Sequence, residues 1–319
     1  MSTPASRPSG RRETVAAPAV RPRSTSRALS WKGLGFGASC ALIWGIQPIV
    51  SKVSVADGLT AADVTALRFL AAGIVLFPIA ARAPNFPVGR LGWARAAVLA
   101  MLAGPPFSLA IVGGVAFAPA FHSAVIGPGM TPIVAMLLGL IVLRERPAWG
   151  ELGALALTLI GLVLFSFDGF AGASAREGAW RGDLLFALSG CMWAGFGFLA
   201  NRWKASSMGA AAAISILSLM SVPLWASFMA MHLNEVSIWA SLLQALFQGV
   251  VVGIVALYFY TRAVALLGAV QAALFVPLTP IVTALIDLVW LGEQASLTEV
   301  TGMAVVIAGM FLCIATPRG

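Results

Sequence analysis

Residues 96–143 read AAVLAMLAGPPFSLAIVGGVAFAPAFHSAVIGPGMTPIVAMLLGLIVL, with no Lys, Arg, Asp or Glu anywhere in the run. One continuous helix over it would be about 72 Å long at 1.5 Å per residue. The hydrocarbon of a bilayer is about 30 Å thick and takes about 20 residues of helix. The run therefore folds back on itself, and Gly113-Gly114 and Pro119 mark the turn between spans near 94–115 and 119–142. Working outward, the same criterion places spans near 33–52, 61–81, 149–168, 182–203, 207–231, 239–264, 268–291 and 297–316. The fold class is all-α and polytopic, with ten transmembrane helices.

The rest of the composition agrees. Hydrophobic residues make up 60% of the 319 and charged residues only 10%, against about 25% in an ordinary soluble domain. Such a chain cannot cover its surface with polar groups, and its continuous apolar runs are unlike the alternating strands of an outer-membrane barrel. The net charge of +8 suggests nucleic acid until it is located. Six of the arginines (Arg7, Arg11, Arg12, Arg21, Arg23, Arg27) crowd into a Ser/Pro/Thr-rich segment without apolar periodicity. We read residues 1–32 as a disordered basic tail on the cytoplasmic side, near anionic lipid; an organelle transit peptide is the alternative. Arg11-Arg12 mimics a twin-arginine signal, but the next apolar run has span length and no convincing cleavage site. Cys40, Cys191 and Cys313 stand singly in apolar stretches and read as packing residues.

Charge also gives orientation. With the tail inside, 16 basic residues fall on the cytoplasmic side; only Lys52, Arg68, Arg176 and Arg181 fall outside. Nine remain against four when residues 1–32 are set aside. The positive-inside rule then predicts two cytoplasmic termini in a bacterial inner membrane, with 169–181 as an outer loop.

Thr131-Pro132-Ile133-Val134 recurs 148 residues later as Thr279-Pro280-Ile281-Val282. At the same offset Glu145 falls on Glu293, Glu151 on Glu299 and Gly161 on Gly309, while Trp44 lies 149 residues before Trp193. Spans one to five thus repeat as spans six to ten, over 33–168 and 182–316. Five is odd, so the second copy is upside down, an architecture characteristic of transporters with a site between the halves.

Trp44-Gly45 with Lys52 beyond it, Arg68-Phe69, and Pro132 and Pro280 each 13 residues before a glutamate together resemble the EamA family of the drug/metabolite transporter superfamily, over roughly 33–316. Within it the chain is most similar to YddG-type exporters of aromatic and other amino acids. The resemblance implies a ten-helix bundle around a central cavity and efflux of small metabolites. The second half departs from the pattern, with Ala194 in place of the glycine after Trp44 and Asn201 near the Lys52 position.

Polar groups inside spans are costly and point to function. Trp44, Gln47, Pro48 and Ser51 share one sector of the first span and read as pathway lining, with interhelical packing as the alternative. Gln244 and Gln248 share a face of the eighth span that Tyr258 continues. Their amides offer donor and acceptor alike and suit a zwitterion. Trp193 and Asn201 are nearly cofacial on the sixth span. His122 reads as pathway or as a hydrogen-bonded structural residue, without cooperating groups visible by spacing. Lys52, Arg68 and Asp287 are possible charge or coupling sites. Asp287 could carry a coupling proton or pair with Arg68 or Lys52. Glu145 and Glu293, at span ends, read as caps for the following helices.

The function expected is a secondary transporter exporting neutral amino acids or related metabolites by alternating access, with possible proton coupling. The alternatives are a passive facilitator and an intramembrane enzyme. No HExxH pair, paired-aspartate motif or Walker A sequence is present, so no cofactor, metal, ATP chemistry or nucleic-acid partner is implied.

Overall fold

The computed structural model describes residues 30–82, 84–171 and 177–316. Residues 1–29, with the six arginines, and Ser174, Arg176 and Arg318 lie outside the described residues; Ser30, Trp31 and Lys32, expected in the tail, instead cap and open the first helix, Ser30 accepting from Gly33 N. Among the described residues ten helices are long and apolar enough to cross a membrane: α1 Trp31–Ala56, α2 Ala61–Arg82, α3 Trp93–Gly114, α4 Ala120–Leu143, α5 Trp149–Phe170, α6 Ala179–Arg202, α7 Ser207–Ala226, α8 Ile238–Leu267, α9 Ala269–Leu291 and α10 Leu297–Ala315. The expected turn at Gly113–Pro119 separates α3 from α4. The outward surface carries Ile74, Ile141, Val163, Leu224 and Val289, each more than 60% exposed, which is the surface of a protein solvated by lipid.

Several helices are interrupted. In α3 the helix stops at Ala103 and restarts at Pro105, because proline has no N–H to continue the ladder. Residues 245–256 of α8 are wound as a π-helix. In α4 and α9 the last turn is π-helical, over Gly139–Leu143 and Asp287–Leu291. Each then ends in a left-handed residue, Arg144 (φ 57°) and Gly292 (φ 69°). These features are 148 residues apart, as are the first residues of α5 and α10 and of α1 and α6. The repeat legible in the sequence is therefore a repeat of backbone geometry.

Contacts locate the pseudo-twofold. Along the closely packed pair α5–α10, Gly161 lies against Val306 and Gly309 against Thr158. Thr158 and Val306 are also repeat-mates, so the two contacts exchange under the symmetry. At one end of this antiparallel pair the Ser296 hydroxyl donates to Asp168 Oδ2 at 2.5 Å; at the other, Gly150 packs on Thr316. The first end also carries Lys52 and Glu293, and the second carries Lys32 and Glu145. The two glutamates thus lie at opposite ends of the bundle, as an inverted repeat requires.

The largest apolar core joins Phe121 and Val125 of α4, Leu162 and Phe165 of α5, Phe186 of α6, and Val306 and Met310 of α10. It sits toward the Lys52 end. Cys40 and Cys191 are free thiols.

Candidate functional site

Between α1 and α8 four polar side chains meet in a buried seam. Gln248 Nε2 donates to Ser51 Oγ at 2.9 Å, and Gln47 Nε2 donates to the same oxygen at 3.3 Å and to Gln248 Oε1 at 3.5 Å. Ser51 Oγ donates back to the Gln47 carbonyl at 3.0 Å. Gln244 Nε2 reaches the Val50 carbonyl at 3.5 Å, and its Oε1 is buried without a partner. The sector expected on α1 and the amide face expected on α8 do face each other. In this conformation Gln47, Ser51 and Gln248 satisfy one another and the seam is closed to solvent, leaving Gln244 Oε1 as the acceptor without a partner. One turn before Pro48, the Gly45 carbonyl accepts from Thr283 Oγ1 of α9 at 2.7 Å, so a third helix grips α1 where its ladder is weakened.

The aromatic residues lie farther toward the Lys32 end. Trp193 is 38% exposed; it stacks on Phe107 with ring centres 5.4 Å apart and touches Phe196 at 5.2 Å. Trp44, one position from the repeat equivalent of Trp193, lies 5.5 Å from Tyr260. Tyr258 is exposed beside Phe36 and Arg262, and Asn201 is exposed at the end of α6. These residues are apart from the amide seam rather than continuous with it.

The ionisable candidates gather at the Lys52 end. Lys52 donates to the Ala118 carbonyl at 3.0 Å and pairs with Glu293 at 3.5 Å, tying α1 to the α3–α4 turn and to the α9–α10 turn. The sequence expectation of an Asp287 pair with Arg68 or Lys52 gives way to another arrangement. Asp287 Oδ2 accepts the Phe121 backbone N–H at 3.0 Å, and Arg68 lies over the Phe69 ring at 5.8 Å. The caps differ too. Glu151 accepts from Ala148 N at 3.0 Å and Glu299 from Ser296 N at 2.7 Å; Glu145 and Glu293 do not supply these bonds.

His122 does have cooperating groups, contrary to the reading from spacing. Its Nδ1 is 2.7 Å from Asp183 Oδ1 on α6, and its Nε2 is 3.0 Å from Glu299 Oε1 on α10. The three side chains are at most 4% exposed, and the Phe121 and Phe165 rings flank the imidazole. Asp183 and Glu299 are 61 and 177 residues from His122, beyond any local pattern. The signal that could have found them was topological: all three sit near the same end of their spans.

The bundle is closed at one end and splayed at the other. Every residue from Ala120 to Gly127, at the Lys52 end of α4, is buried; in the equivalent stretch 268–275 of α9, at the Lys32 end, only Ala272 is buried. From Gly195 to Arg202, α6 has no buried residue at all. A helix with lipid on one side and protein on the other would bury a stripe along every turn. Over these eight residues no side chain is fully buried, and Phe196, Leu199 and Ala200 only half-bury themselves against Phe69, Leu99 and Ile214, so this end of α6 is the more loosely covered one. The groove between α1 and α9 lined by Ile46, Ile49, Val50, Leu285 and Ile286 is wholly apolar and belongs to the lipid-facing surface.

Residues 31–167 and 180–315 each match the profile of the EamA-like transporter family. No curated protein sequence matches the chain. A solved structure described only as "Crystal structure of protein" is similar at 18% identity and TM-score 0.58, over 88% of this chain and 96% of that one; at that identity the likeness is one of fold.

Proposed function

The chain belongs to the EamA-like transporter family, and from that premise we propose that it is a secondary exporter of neutral amino acids, aromatic ones included, working by alternating access. Both termini are cytoplasmic in a bacterial inner membrane, so the Lys52 end faces out. The observation that carries this reading is the unequal burial of α4 and α9. Two copies of one structural unit adopt two conformations, one sealing its end and one leaving its end open, as a carrier caught facing inward requires.

The substrate class follows from what lines the approach. Trp44 and Trp193 offer flat apolar walls to a side chain. Gln47, Gln244 and Gln248, with Ser51, offer donors and acceptors to an ammonium or carboxylate without a full charge. The buried Gln244 Oε1 without a partner is an acceptor ready for a ligand donor. Counterflow in proteoliposomes, run with neutral amino acids, purines and organic cations, tests the reading. Acceleration by internal aromatic or neutral amino acids alone is expected. Acceleration by purines or cations alone replaces the substrate class, and flux without counterflow makes the protein a passive facilitator.

A further inference from the structure

We propose that His122, Asp183 and Glu299 form a proton-binding latch that holds the Lys52 end of the bundle shut. The geometry counts the protons. Both imidazole nitrogens lie within hydrogen-bond distance of a carboxylate oxygen, at 2.7 and 3.0 Å. Each contact is attractive only with a proton between nitrogen and oxygen. Two contacts need two protons. A neutral imidazole between two ionised carboxylates has one, and the second contact would then set lone pair against lone pair. The closed cluster therefore carries one proton more than that state, either as imidazolium or as a carboxylic acid. Asp183 Oδ2, buried without a partner, supports this independently, since an ionised oxygen without a donor is costly in an apolar site.

The neighbours do not supply the missing positive charge. Asp183 of α6 and Glu299 of α10 touch His122, and at the same end of the helices packed on α4 stand Asp168 of α5, bonded to Ser296, Asp287 and Glu293 of α9, Lys52 of α1, and Arg181 of α6, which is exposed and lies over the Trp180 ring. Lys52 is already paired with Glu293. The surroundings are acidic, and a proton is the cation that fits between atoms this close.

The cluster joins α4 of the first repeat to α6 and α10 of the second. Loss of one proton to water on the Lys52 side removes one of its two bonds and frees α4 from α6 or from α10. On regaining that proton from the same side, the cluster closes again. The gating part of this inference rests on the alternating-access reading; the proton site itself does not, and neither depends on the substrate.

The test uses the full chain in proteoliposomes, without native cysteines and with nitroxide labels at Phe117→Cys and Leu297→Cys, on exposed positions of the Lys52 end. Spin–spin distances are read between pH 5 and 9. Release of one proton predicts a rise in the open-to-closed ratio of up to tenfold per pH unit through the transition. Asp183→Asn and Glu299→Gln each fix the proton count and are expected to give pH-independent ratios; two variants guard against one failing to fold. A wild-type distance distribution unchanged over the range overturns the latch, as does a folded Asp183→Asn or Glu299→Gln protein that follows the wild-type profile. A protein that opens with pH yet transports no amino acid retains the latch and loses the substrate reading.

Discussion

The two ends of the bundle are built from repeat-equivalent positions, yet only one is locked. At the Lys52 end, Lys52 meets Glu293 and His122 joins Asp183 to Glu299. At the other end the position of Lys52 is taken by Ala200, next to Asn201, and Val270 and Gly35 stand where His122 and Asp183 would be. Glu145 and Glu151 are kept, but their cation and imidazole are gone. The backbone at the ends of α4 and α9 is duplicated down to its π-turns; the side chains that bind the ends shut are not. The preference for one open side is thus written in a few substitutions rather than in the fold.

The largest effect expected from testing this contrast is steric. A Cβ at Gly302 would lie 2.5 Å from the Phe165 backbone nitrogen, in the closed half of the α5–α10 seam. Its repeat-mate Ala154 already carries a Cβ in the other half and is fully buried. Gly302→Ala is expected to cost about 1–3 kcal/mol by overpacking and Ala154→Gly about 1 kcal/mol, read as a larger loss of Tm in detergent for the first. Equal losses would mean that the two halves are equally tight.

Next in size is the amide seam. Gln248→Leu removes the 2.9 Å bond to Ser51 and the acceptor for Gln47, stranding buried polar atoms at about 1–3 kcal/mol. If Gln248 also binds substrate, transport falls while the amount of folded protein in the membrane stays near wild type. Loss of folded protein with normal specific transport would make the seam purely structural.

The ion pair is weaker. Lys52 and Glu293 are each about one quarter exposed, so screening limits the pair to roughly 1 kcal/mol. Glu293→Gln should therefore raise the open population at the Lys52 end about fivefold, measured by the same label distances. The smallest effect is the converse. Ala200→Lys puts a cation at the position equivalent to Lys52, at the Glu145 end, and should shift the balance the opposite way, about twofold for a pair worth a few tenths of a kcal/mol. A shift of the same sign in both variants would break the comparison.

How much of this was legible varies with the physical origin of each feature. The ten spans were, because the bilayer turns length and hydropathy into structure almost one residue at a time. The observed helices differ from the expected spans mostly by a few residues; α7, expected to reach 231, ends at Ala226. The repeat was legible because Thr-Pro and two glutamates recur at one spacing. The π-turns and the break at Gly104 were not, since they answer to tertiary packing. Lys52–Glu293, Phe107–Trp193 and the His122 cluster were hidden because their partners come from distant helices. The sequence could show that His122 was expensive to bury, but not what met it there.

The central claim, one-sided access through the half of the bundle around α6, is tested most directly by thiol accessibility. Phe196→Cys, placed in a Cys-free background beside Trp193, is exposed to an impermeant maleimide in right-side-out and in inside-out membrane vesicles without substrate. The account predicts rapid labelling from the cytoplasmic face and little from the outer face. Faster labelling from the outer face would contradict it.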